Sequence, residues 1–252
     1  MTLTFLGTGT SCGVPTIGCQ CRVCQSTDPH DKRLRCSALV ETDSTRLLID
    51  CGPDFRQQMM DQPFRRIDGI LITHAHYDHM GGMDDVRPYC QFGEINVYAD
   101  PIAREGLLQM LPYCFAEHRY PGVPAIGLHE ILPHVPFTIG DIPILPFQVM
   151  HGKLPILGFR FGSLAYITDM KTIDPAELSY LEGVECLVVN ALRVQPHHSH
   201  QTLADAIDFA RRVGASRTLF IHSSHDIGLH REVNAQLPAG MEMAYDGQVV
   251  QL

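Results

Sequence analysis

The sequence predicts an α/β protein whose functional residues lie along one edge of a sheet. Several short apolar runs end abruptly at a polar residue, and helical patterns separate them, which is typical of buried strands in such a fold. The runs and the polar residues after them are 46–49 before Asp50, 70–73 before His74, 164–168 before Asp169, 184–189 before Asn190 and 218–221 before His222.

Two helices are predicted between these strands. Apolar residues within 203–213 recur at helical spacing, and Gly214 is a suitable C-terminal stop. A second helix covers roughly residues 102–111, because Pro101 favours a helix start and Pro112 ends the pattern. Both helices are therefore bounded by residues that are typical of helix ends.

The chain of 252 residues is predicted to form one domain, 1–252, since no Pro/Ser-rich linker, charge block or repeat divides it. The Pro- and Gly-rich residues 113–147 predict β hairpins and loops within that domain. The cysteines are nine in number and scattered, which indicates free thiols and metal ligands rather than a disulfide scaffold.

The net charge of −9 restricts the partners of the protein. It makes electrostatic binding of bare nucleic acid poor, yet it allows a small anionic substrate held by metal ions, which reverse the local field. The N-terminus has no basic region before a long apolar stretch, and no run approaches the ~20 apolar residues that span a bilayer. A cytoplasmic protein with no membrane partner is therefore expected.

The segment His-Ala-His-Tyr-Asp-His, residues 74–79, carries the strongest chemical signal and directly follows an apolar run. Histidine is the commonest protein ligand for zinc-like ions, and an aspartate oxygen completes mixed sites. Because alternate residues of an extended segment point the same way, His74, His76 and Asp78 can face one cleft. His79 is then aimed differently, which suits a second metal ion beside the first.

The remaining ligands must come from other strand ends, since one segment cannot enclose two ions. Taken alone, His151 or His222 would more often be a structural histidine, but each follows an apolar run, as the first cluster does. Metal ions about 3.5–4 Å apart with a hydroxide between them are a standard arrangement for ester hydrolysis. The predicted sets are His74, His76 and His151 around one metal, Asp78, His79 and His222 around the other, and Asp169 bridging both.

The motif His-x-His-x-Asp-His at 74–79, followed in order by His151, Asp169 and His222, resembles the metallo-β-lactamase superfamily. The resemblance covers nearly the whole chain. It implies an αββα sandwich with a dinuclear metal site in the groove between the two sheets.

The opening residues 7–15, Gly-Thr-Gly-Thr-Ser-Cys-Gly-Val-Pro, resemble the N-terminal signature of the phosphodiesterase branch, which also contains the tRNA 3′-end endonuclease RNase Z. Residues 47–54 and 245–247 fit the same branch. The alternative interpretation of the glycines is a tight strand-to-loop turn at positive φ. The sequence shows no long basic insertion that could grip tRNA, which counts against RNase Z.

Cys19, Cys21 and Cys24 are too close in the sequence for a disulfide set but are well placed to hold one zinc ion. His225, three residues after His222, is the best candidate for the fourth ligand, and loose surface thiols are the alternative. Cys-x-Cys-x-x-Cys with a late histidine resembles the phosphoribosyl cyclic phosphate phosphodiesterases of bacterial phosphonate breakdown. That resemblance implies that these four residues hold a structural zinc ion, apart from the catalytic pair.

His200 precedes the predicted helix 203–213, whose N-terminus attracts phosphate. It is predicted to bind a phosphoryl oxygen or to protonate the leaving alkoxide, and the resemblance places a histidine at the corresponding position. Asp78 is predicted to orient the nucleophile as well as to bind a metal ion. His200 and Asp78 are thus the predicted catalytic residues.

The chain departs from the phosphonate enzymes at Asn190, where an aspartate is expected, and in residues 191–196. Arg193 is either a substrate contact or, more simply, a surface arginine. His197 and His198 are expected to be solvated. These differences are expected to lie beside the substrate, so that they affect its identity rather than the metal ions.

The expected function is a dinuclear, metal-dependent phosphodiesterase that acts on a small phosphodiester, cyclic esters such as a phosphoribosyl cyclic phosphate included, by attack of a metal-bridging hydroxide. Zinc or manganese is expected at the two catalytic positions, with one structural zinc, because His and Asp suit several metals. The resemblance also implies a homodimer. Three alternatives stay open: a thioester or lactam hydrolase, an RNase Z-like RNA phosphodiesterase, and a non-catalytic binding protein.

Overall fold

The computed structural model places two β-sheets face to face, and it describes residues 1–118 and 120–252. The strands are β1 (Thr2–Gly7), β2 (Ser37–Glu41), β3 (Arg46–Ile49), β4 (Gly69–Leu71), β5 (Ile95–Ala99), β6 (Ile126–Glu130), β7 (Phe137–Ile139), β8 (Ile142–His151), β9 (Leu154–Phe161), β10 (Leu164–Tyr166), β11 (Cys186–Asn190), β12 (Arg217–Ile221), β13 (Met241–Met243) and β14 (Val249–Gln251). The α-helices are α1 (Phe55–Met60), α2 (Tyr77–Met80), α3 (Pro101–Met110), α4 (Leu203–Val213) and α5 (His230–Asn234). Short 3-10 helices cover Pro29–Asp31, Met83–Phe92, Pro112–Cys114, Pro175–Leu181 and His225–Ile227.

Each sheet combines an antiparallel half with a parallel half. The first sheet has the order β14-β1-β2-β3-β4-β5-β6, and the second has the order β13-β12-β11-β10-β9-β8-β7. Strands β3 to β6 run parallel in the first sheet, as do β10 to β13 in the second. The carboxyl ends of parallel neighbours lie at the same edge of a sheet, so the predicted polar strand ends are brought together.

Every layer of the sandwich is held by alternation of apolar side chains along the strands. In β10, for example, Leu164 and Tyr166 pack between the two sheets, while Ala165 packs outwards among residues of α4 such as Phe209. A second outer cluster covers the first sheet and includes Leu107 of α3. Burial on both faces explains the continuous apolar runs of the sequence. The structure confirms the predicted αββα sandwich.

The two predicted helices are confirmed, with physical reasons at their ends. The N-terminus of α4 has a capping box, in which Thr202 accepts from the Asp205 N–H and Asp205 accepts from the Thr202 N–H. The helix ends at Gly214, which has φ 75° in the left-handed region. At the start of α3, the Asp100 side chain accepts from the Ala103 N–H.

The middle of the chain is only partly as predicted. Strands β7 and β8 form a hairpin. Hairpin pairing is wrong for β6, which joins the first sheet parallel to β5 because the chain leaves β5 through α3 before it returns. Arg119 belongs to the predicted hairpin and loop region but lies outside the described residues. None of the described helices is both long and apolar enough to cross a lipid bilayer.

Candidate metal centre

The polar residues after β3, β10 and β12 share an unusual backbone conformation. Asp50, Asp169 and His222 have φ values of 58°, 55° and 56°, in the left-handed region that side chains with a Cβ rarely adopt. Each such residue stores of order 1–3 kcal/mol of strain, and such residues cluster at functional sites. The sharp backbone turn at each strand end directs its side chain into the groove between the sheets.

Seven side chains form two adjoining groups in this groove, and Asp169 belongs to both. Within each group, one nitrogen or oxygen atom of every residue lies within 4.8 Å of those of the others. The groups are His74, His76, His151 and Asp169, and Asp78, His79, Asp169 and His222. The structure therefore brings together every residue that the sequence predicts around the two ions, with the predicted division and the predicted shared residue.

The second group contains buried nitrogen atoms that need a partner. Nε2 of His79 lies 3.2 Å from Oδ2 of Asp78 and 3.4 Å from Oδ1 of Asp169. Nε2 of His222 lies 3.2 Å from Oδ1 of Asp169. Among the described residues, neither Nε2 atom has a hydrogen-bond partner. Buried polar atoms without partners are costly, and a divalent cation between these nitrogens and carboxylates would satisfy them.

The first group is built by the β4–α2 loop and the end of β8. Nε2 of His74 lies 3.0 Å from Nδ1 of His76 and 3.8 Å from Oδ2 of Asp169. Nδ1 of His151 donates to the Ser199 carbonyl at 2.9 Å, which leaves Nε2 of that ring available to a ligand. Three imidazoles and one carboxylate at these distances form a donor set that suits a zinc-like cation.

The electrostatics of the centre also favour cations. Burial raises the pKa of Asp169, but the charges of His222 and His79 outweigh it and hold that pKa well below its usual range. Burial likewise opposes ionisation of Asp78, yet the neighbouring rings of His222 and His79 lower its pKa. Burial lowers the pKa of His74 well below its usual value, so its ring is neutral. The ionised carboxylates and the neutral ring of His74 are in the states that metal binding requires. Burial lowers the pKa of His79, but the charges of Asp169 and Asp50 outweigh it and raise that pKa, so Nε2 of His79 must release its proton to bind a metal ion.

Asp50 is a functional residue that the sequence placed at a strand end without assigning it a role. Its buried carboxylate accepts from N–H and Oγ1–H of Thr73, and Nδ1 of His79 donates to it at 2.7 Å. This contact fixes the tautomer of His79 and turns its Nε2 towards the centre. The available signal is its position, because Asp50, like Asp169, directly follows an apolar run of the sequence.

His200 lies beside the metal ligands, where the sequence predicts a catalytic group. Its Nε2 is 3.2 Å from Oδ2 of Asp169, and its ring stacks on His222 with centroids 4.9 Å apart. Burial lowers the pKa of His200 to about 4, although the carboxylate of Asp169 opposes this shift. The ring is therefore neutral near pH 7 and can offer an N–H hydrogen bond at the rim of the centre.

A third cluster gathers Cys19, Cys21, Cys24 and His225 away from the two groups, and their ligand atoms also lie within 4.8 Å of one another. Nδ1 of His225 lies 3.6 Å from Sγ of Cys19 and 3.4 Å from Sγ of Cys21. A backbone hydrogen bond from Cys24 is the main cause that lowers the pKa of Cys21 to about 6, and burial raises that of Cys24 to about 11. Four such side chains around one point suit tetrahedral zinc.

One expectation from the sequence is wrong in this region, and one interpretation is only partly right. Asn190 does not lie beside a substrate: it is fully buried, and its side chain accepts from Met170 N–H and donates to the Met170 carbonyl. It therefore holds the turn that carries Asp169. Positive φ explains Gly13, whose φ is 63°, but not Gly7, whose Cβ would lie 2.0 Å from the Arg35 carbonyl oxygen, so close backbone approach requires glycine there.

Comparison with known proteins places this geometry in a family. The family model described as "Beta-lactamase superfamily domain" matches residues 45–223. A solved structure described as a new diphosphatase from the PhnP family superposes with a TM-score of 0.92 and 41% identity, over 99% of this chain and 96% of that chain.

Among curated proteins, the chain is 44% identical over 245 residues to an octanoyltransferase of Porphyromonas gingivalis, which covers 96% of this chain and 50% of that protein. It is 30% identical over 143 residues to a ribonuclease Z of a Bradyrhizobium species, over 54% of this chain and 47% of that protein. The chain thus spans about half the length of these two curated relatives.

Proposed function

This chain belongs to the β-lactamase superfamily and, within it, to the PhnP family, and from this membership we propose that it is a metal-dependent phosphodiesterase. It is a hydrolase of the metallo-β-lactamase fold, and the bond that we propose it cleaves is a P–O bond of a small phosphodiester. Cyclic esters such as a phosphoribosyl cyclic phosphate are included. The name diphosphatase, carried by the relative that matches nearly the whole chain, supports phosphorus chemistry.

The observation that carries the proposal is the pair of ligand sets that share Asp169. Asp169 presents Oδ1 to His79 and His222, and Oδ2 to His74, so one carboxylate faces both sets. Two divalent ions held there would make water acidic enough to supply hydroxide near pH 7 and would neutralise charge on the phosphoryl oxygens. A phosphodiester carries one negative charge on its non-bridging oxygens, which suits such a centre better than an uncharged carbonyl does.

We assign two further roles to side chains at the rim of this centre. Asp78 retains 13% exposure of its side chain, whereas Asp169 retains 3%, so Asp78 is the carboxylate that can accept a hydrogen bond from the attacking water and orient it. His200 donates its Nε2–H to Oδ2 of Asp169 in the absence of substrate, and we assign it to donate that N–H to the leaving oxygen when substrate is bound. The role of Asp78 uses its observed position, whereas the role of His200 requires it to exchange its hydrogen bond to Asp169 for one to the leaving oxygen.

Metal content and hydrolysis of bis(4-nitrophenyl) phosphate, measured on the same samples, test the proposal. The wild type is expected to hold about three metal ions per chain, two at the centre and one at the cysteine cluster, and to hydrolyse the ester. Asp78→Ala is expected to lose activity and metal. Asp43→Ala, at an exposed aspartate in the turn between β2 and β3, controls for the loss of a carboxylate and is expected to keep both. A fully loaded wild type without turnover would refute the phosphodiesterase.

The role of His200 has its own test. We expect His200→Ala to keep its metal ions and to lose about 10²-fold to 10³-fold in kcat, as when a donor to a developing oxyanion is removed. The exposed His129 provides the matched control, His129→Ala, with unchanged kcat. Full activity in a metal-loaded His200→Ala protein would remove His200 from the mechanism.

An acyl-thioester hydrolase is the second candidate, because the relative from Porphyromonas gingivalis is named octanoyltransferase and is 44% identical over the matched half. The match covers half of that protein, so the named transferase activity can reside in the other half. Assaying an octanoyl thioester and a β-lactam beside the phosphodiester separates the candidates. Turnover of the thioester at a higher kcat/KM than the phosphodiester would reverse their order.

A further inference from the structure

A cleft of about 440 Å³ opens on the outer face of the first sheet, between α1 and the 3-10 helix Met83–Phe92. Its buried residues belong to the apolar cluster that covers this face, whereas the metal centre lies in the groove between the two sheets. The volume falls within the range of about 300–1,000 Å³ that is typical of small-molecule sites. The cleft is therefore a candidate binding site apart from the metal centre.

The walls of the cleft are apolar and largely aromatic. Phe55 and Tyr89 are buried, and their ring centroids lie 5.9 Å apart in an edge-to-face arrangement. Phe64 packs against Tyr89 with centroids 4.9 Å apart, yet it remains 53% exposed, and Met60 beside it in the lining remains 68% exposed. Large apolar side chains that stay exposed together mark a binding surface, and rings with a methionine sulfur suit an aromatic ligand.

The hydroxyl of Tyr89 is a polar group in this lining that the protein itself does not bind. Tyr89 is only 4% exposed, and within residues 1–118 and 120–252 its hydroxyl makes no hydrogen bond. Buried tyrosine hydroxyls usually have a hydrogen-bond partner. An aromatic ligand that carries an N–H or O–H on its ring would provide this partner, which an apolar ring cannot do.

Four charged side chains line the opening, and two of them are paired with each other. Arg87 donates to Asp84 from Nε at 3.1 Å and from Nη2 at 2.7 Å, and the Tyr113 hydroxyl also donates to Asp84. Arg56 and Asp85 are exposed, and their side chains make no hydrogen bond or ion pair with any described residue. Of the four, one cation and one anion are thus left for a ligand, which is the charge pattern that complements a zwitterion.

We propose that this cleft binds a free aromatic amino acid whose ring carries a hydrogen-bond donor, with tryptophan as the model ligand. The carboxylate of the amino acid binds Arg56, and its ammonium group binds Asp85. The ring enters the apolar cleft, where the indole N–H donates to the hydroxyl of Tyr89. The site adds amino-acid binding to the metal-dependent hydrolysis and does not depend on which bond the metal centre cleaves.

Titration with L-tryptophan, followed by the fluorescence of the ligand, tests the site directly because the chain contains no tryptophan. The wild type is expected to bind L-tryptophan saturably, with one molecule per chain. Arg56→Glu is expected to weaken binding by about tenfold or more, the size of effect of one charge-assisted hydrogen bond. Arg231→Glu, at an exposed arginine of α5, is the matched control and is expected to keep the wild-type affinity.

Ligand analogues assign the contact at Asp85. Indole-3-propionate lacks the ammonium group and tryptamine lacks the carboxylate, so the wild type is expected to bind each about tenfold or more weakly than L-tryptophan. Asp85→Asn is expected to weaken L-tryptophan by a similar factor and to leave the affinity for indole-3-propionate unchanged. Equal binding of all three ligands by the wild type would overturn the recognition of a zwitterion.

The contact at Tyr89 is tested by Tyr89→Phe, which keeps the aromatic wall and removes the hydroxyl. This variant is expected to bind L-tryptophan more weakly and to keep the wild-type affinity for L-phenylalanine, whose ring has no donor, measured by competition. Loss of affinity for both amino acids alike would indicate damage to the wall and overturn the assigned hydrogen bond. No saturable binding of L-tryptophan by the wild type, or unchanged binding in both Arg56→Glu and Tyr89→Phe, would overturn the site.

Discussion

Replacing Asn190 with aspartate changes one side-chain group and isolates a single donated hydrogen bond beside the metal centre. Met170, the residue after Asp169, donates its N–H to Oδ1 of Asn190 at 2.7 Å, and Nδ2 of Asn190 donates to the Met170 carbonyl at 3.0 Å. Asn190→Asp keeps the first bond and places an oxygen in front of the carbonyl. The variant therefore tests whether the amide holds the turn that carries Asp169.

The structure gives the magnitude because Asn190 is fully buried. A buried carbonyl that loses its donor costs about 1–3 kcal/mol. Leaving a buried charge without a partner is more costly, about 3–5 kcal/mol in total. We expect Asn190→Asp to lower the free energy of unfolding by about 3–5 kcal/mol at pH 7.

The pH dependence identifies the cause of that loss. A protonated carboxyl can donate to the Met170 carbonyl as the amide does, so folding raises the pKa of the introduced carboxyl above its unfolded value of about 3.9. A group whose pKa is raised by folding contributes stability below its unfolded pKa and loses it as the pH rises through its folded pKa. The deficit relative to the wild type is thus expected to be small near pH 4 and to grow towards pH 7.

Urea denaturation of samples with matched metal content, at several pH values between 4 and 8, measures this deficit. Asn190→Leu is the control, because it removes both hydrogen bonds and introduces no titrating group, so its deficit is expected to be independent of pH. A deficit of Asn190→Asp below about 1 kcal/mol at pH 7, or one that does not change with pH, would refute the reasoning.

Three further predictions concern other parts of the molecule. Asp50→Asn is expected to weaken metal binding by about 10-fold to 100-fold, because the hydrogen bond that fixes the His79 ring is altered. Titration calorimetry measures this change in metal affinity. Cys21→Ser is expected to lower both zinc content and the thermal midpoint, and unchanged values of both would refute a zinc ion at the cysteine cluster. Burial, and then the charge of Arg33, lower the pKa of His230 to about 4. As the pH falls below about 6.5, the unfolded chain therefore binds a proton at His230 before the folded chain does, and the free energy of unfolding decreases until about pH 4. We expect His230→Gln to reduce that fall by about 1–3 kcal/mol, measured by urea denaturation across this range.

The positions of the metal-binding candidates could be predicted because their signal is local. His74, His76 and Asp78 lie within one short segment, and His222 directly follows an apolar run. Parallel pairing then brings separate strand ends to one edge without any further information. The same reasoning predicted α4, since its apolar period and its stop at Gly214 are properties of a few neighbouring residues.

The residues that support these side chains could not be assigned in the same way, because their partners are set by packing across the fold. Asn190 contacts Met170 only when β10 and β11 pair in their observed register, with Tyr166 opposite Val188. An asparagine at a strand end carries no sign of such a partner. The sequence alone therefore links Asn190 to the substrate, although in the structure the Asn190 amide binds the backbone of Met170.

Features that lower the stability of the folded chain cluster at the groove between the two sheets, and from this clustering we infer that the groove binds cations. Of the four described non-glycine residues with positive φ, three are Asp50, Asp169 and His222; Asp50 and His222 directly follow β3 and β12, and Asp169 lies three residues after the end of β10. The same groove holds buried imidazole nitrogens without partners among the described residues. A ligand that binds only the folded chain stabilises it in proportion to the logarithm of its concentration over Kd. The apolar layers on both sides of the sheets hold these strained turns in place, so the fold itself arranges the ligand set. Little of the free energy of cation binding is then lost in ordering the ligands, and it stabilises the folded chain instead.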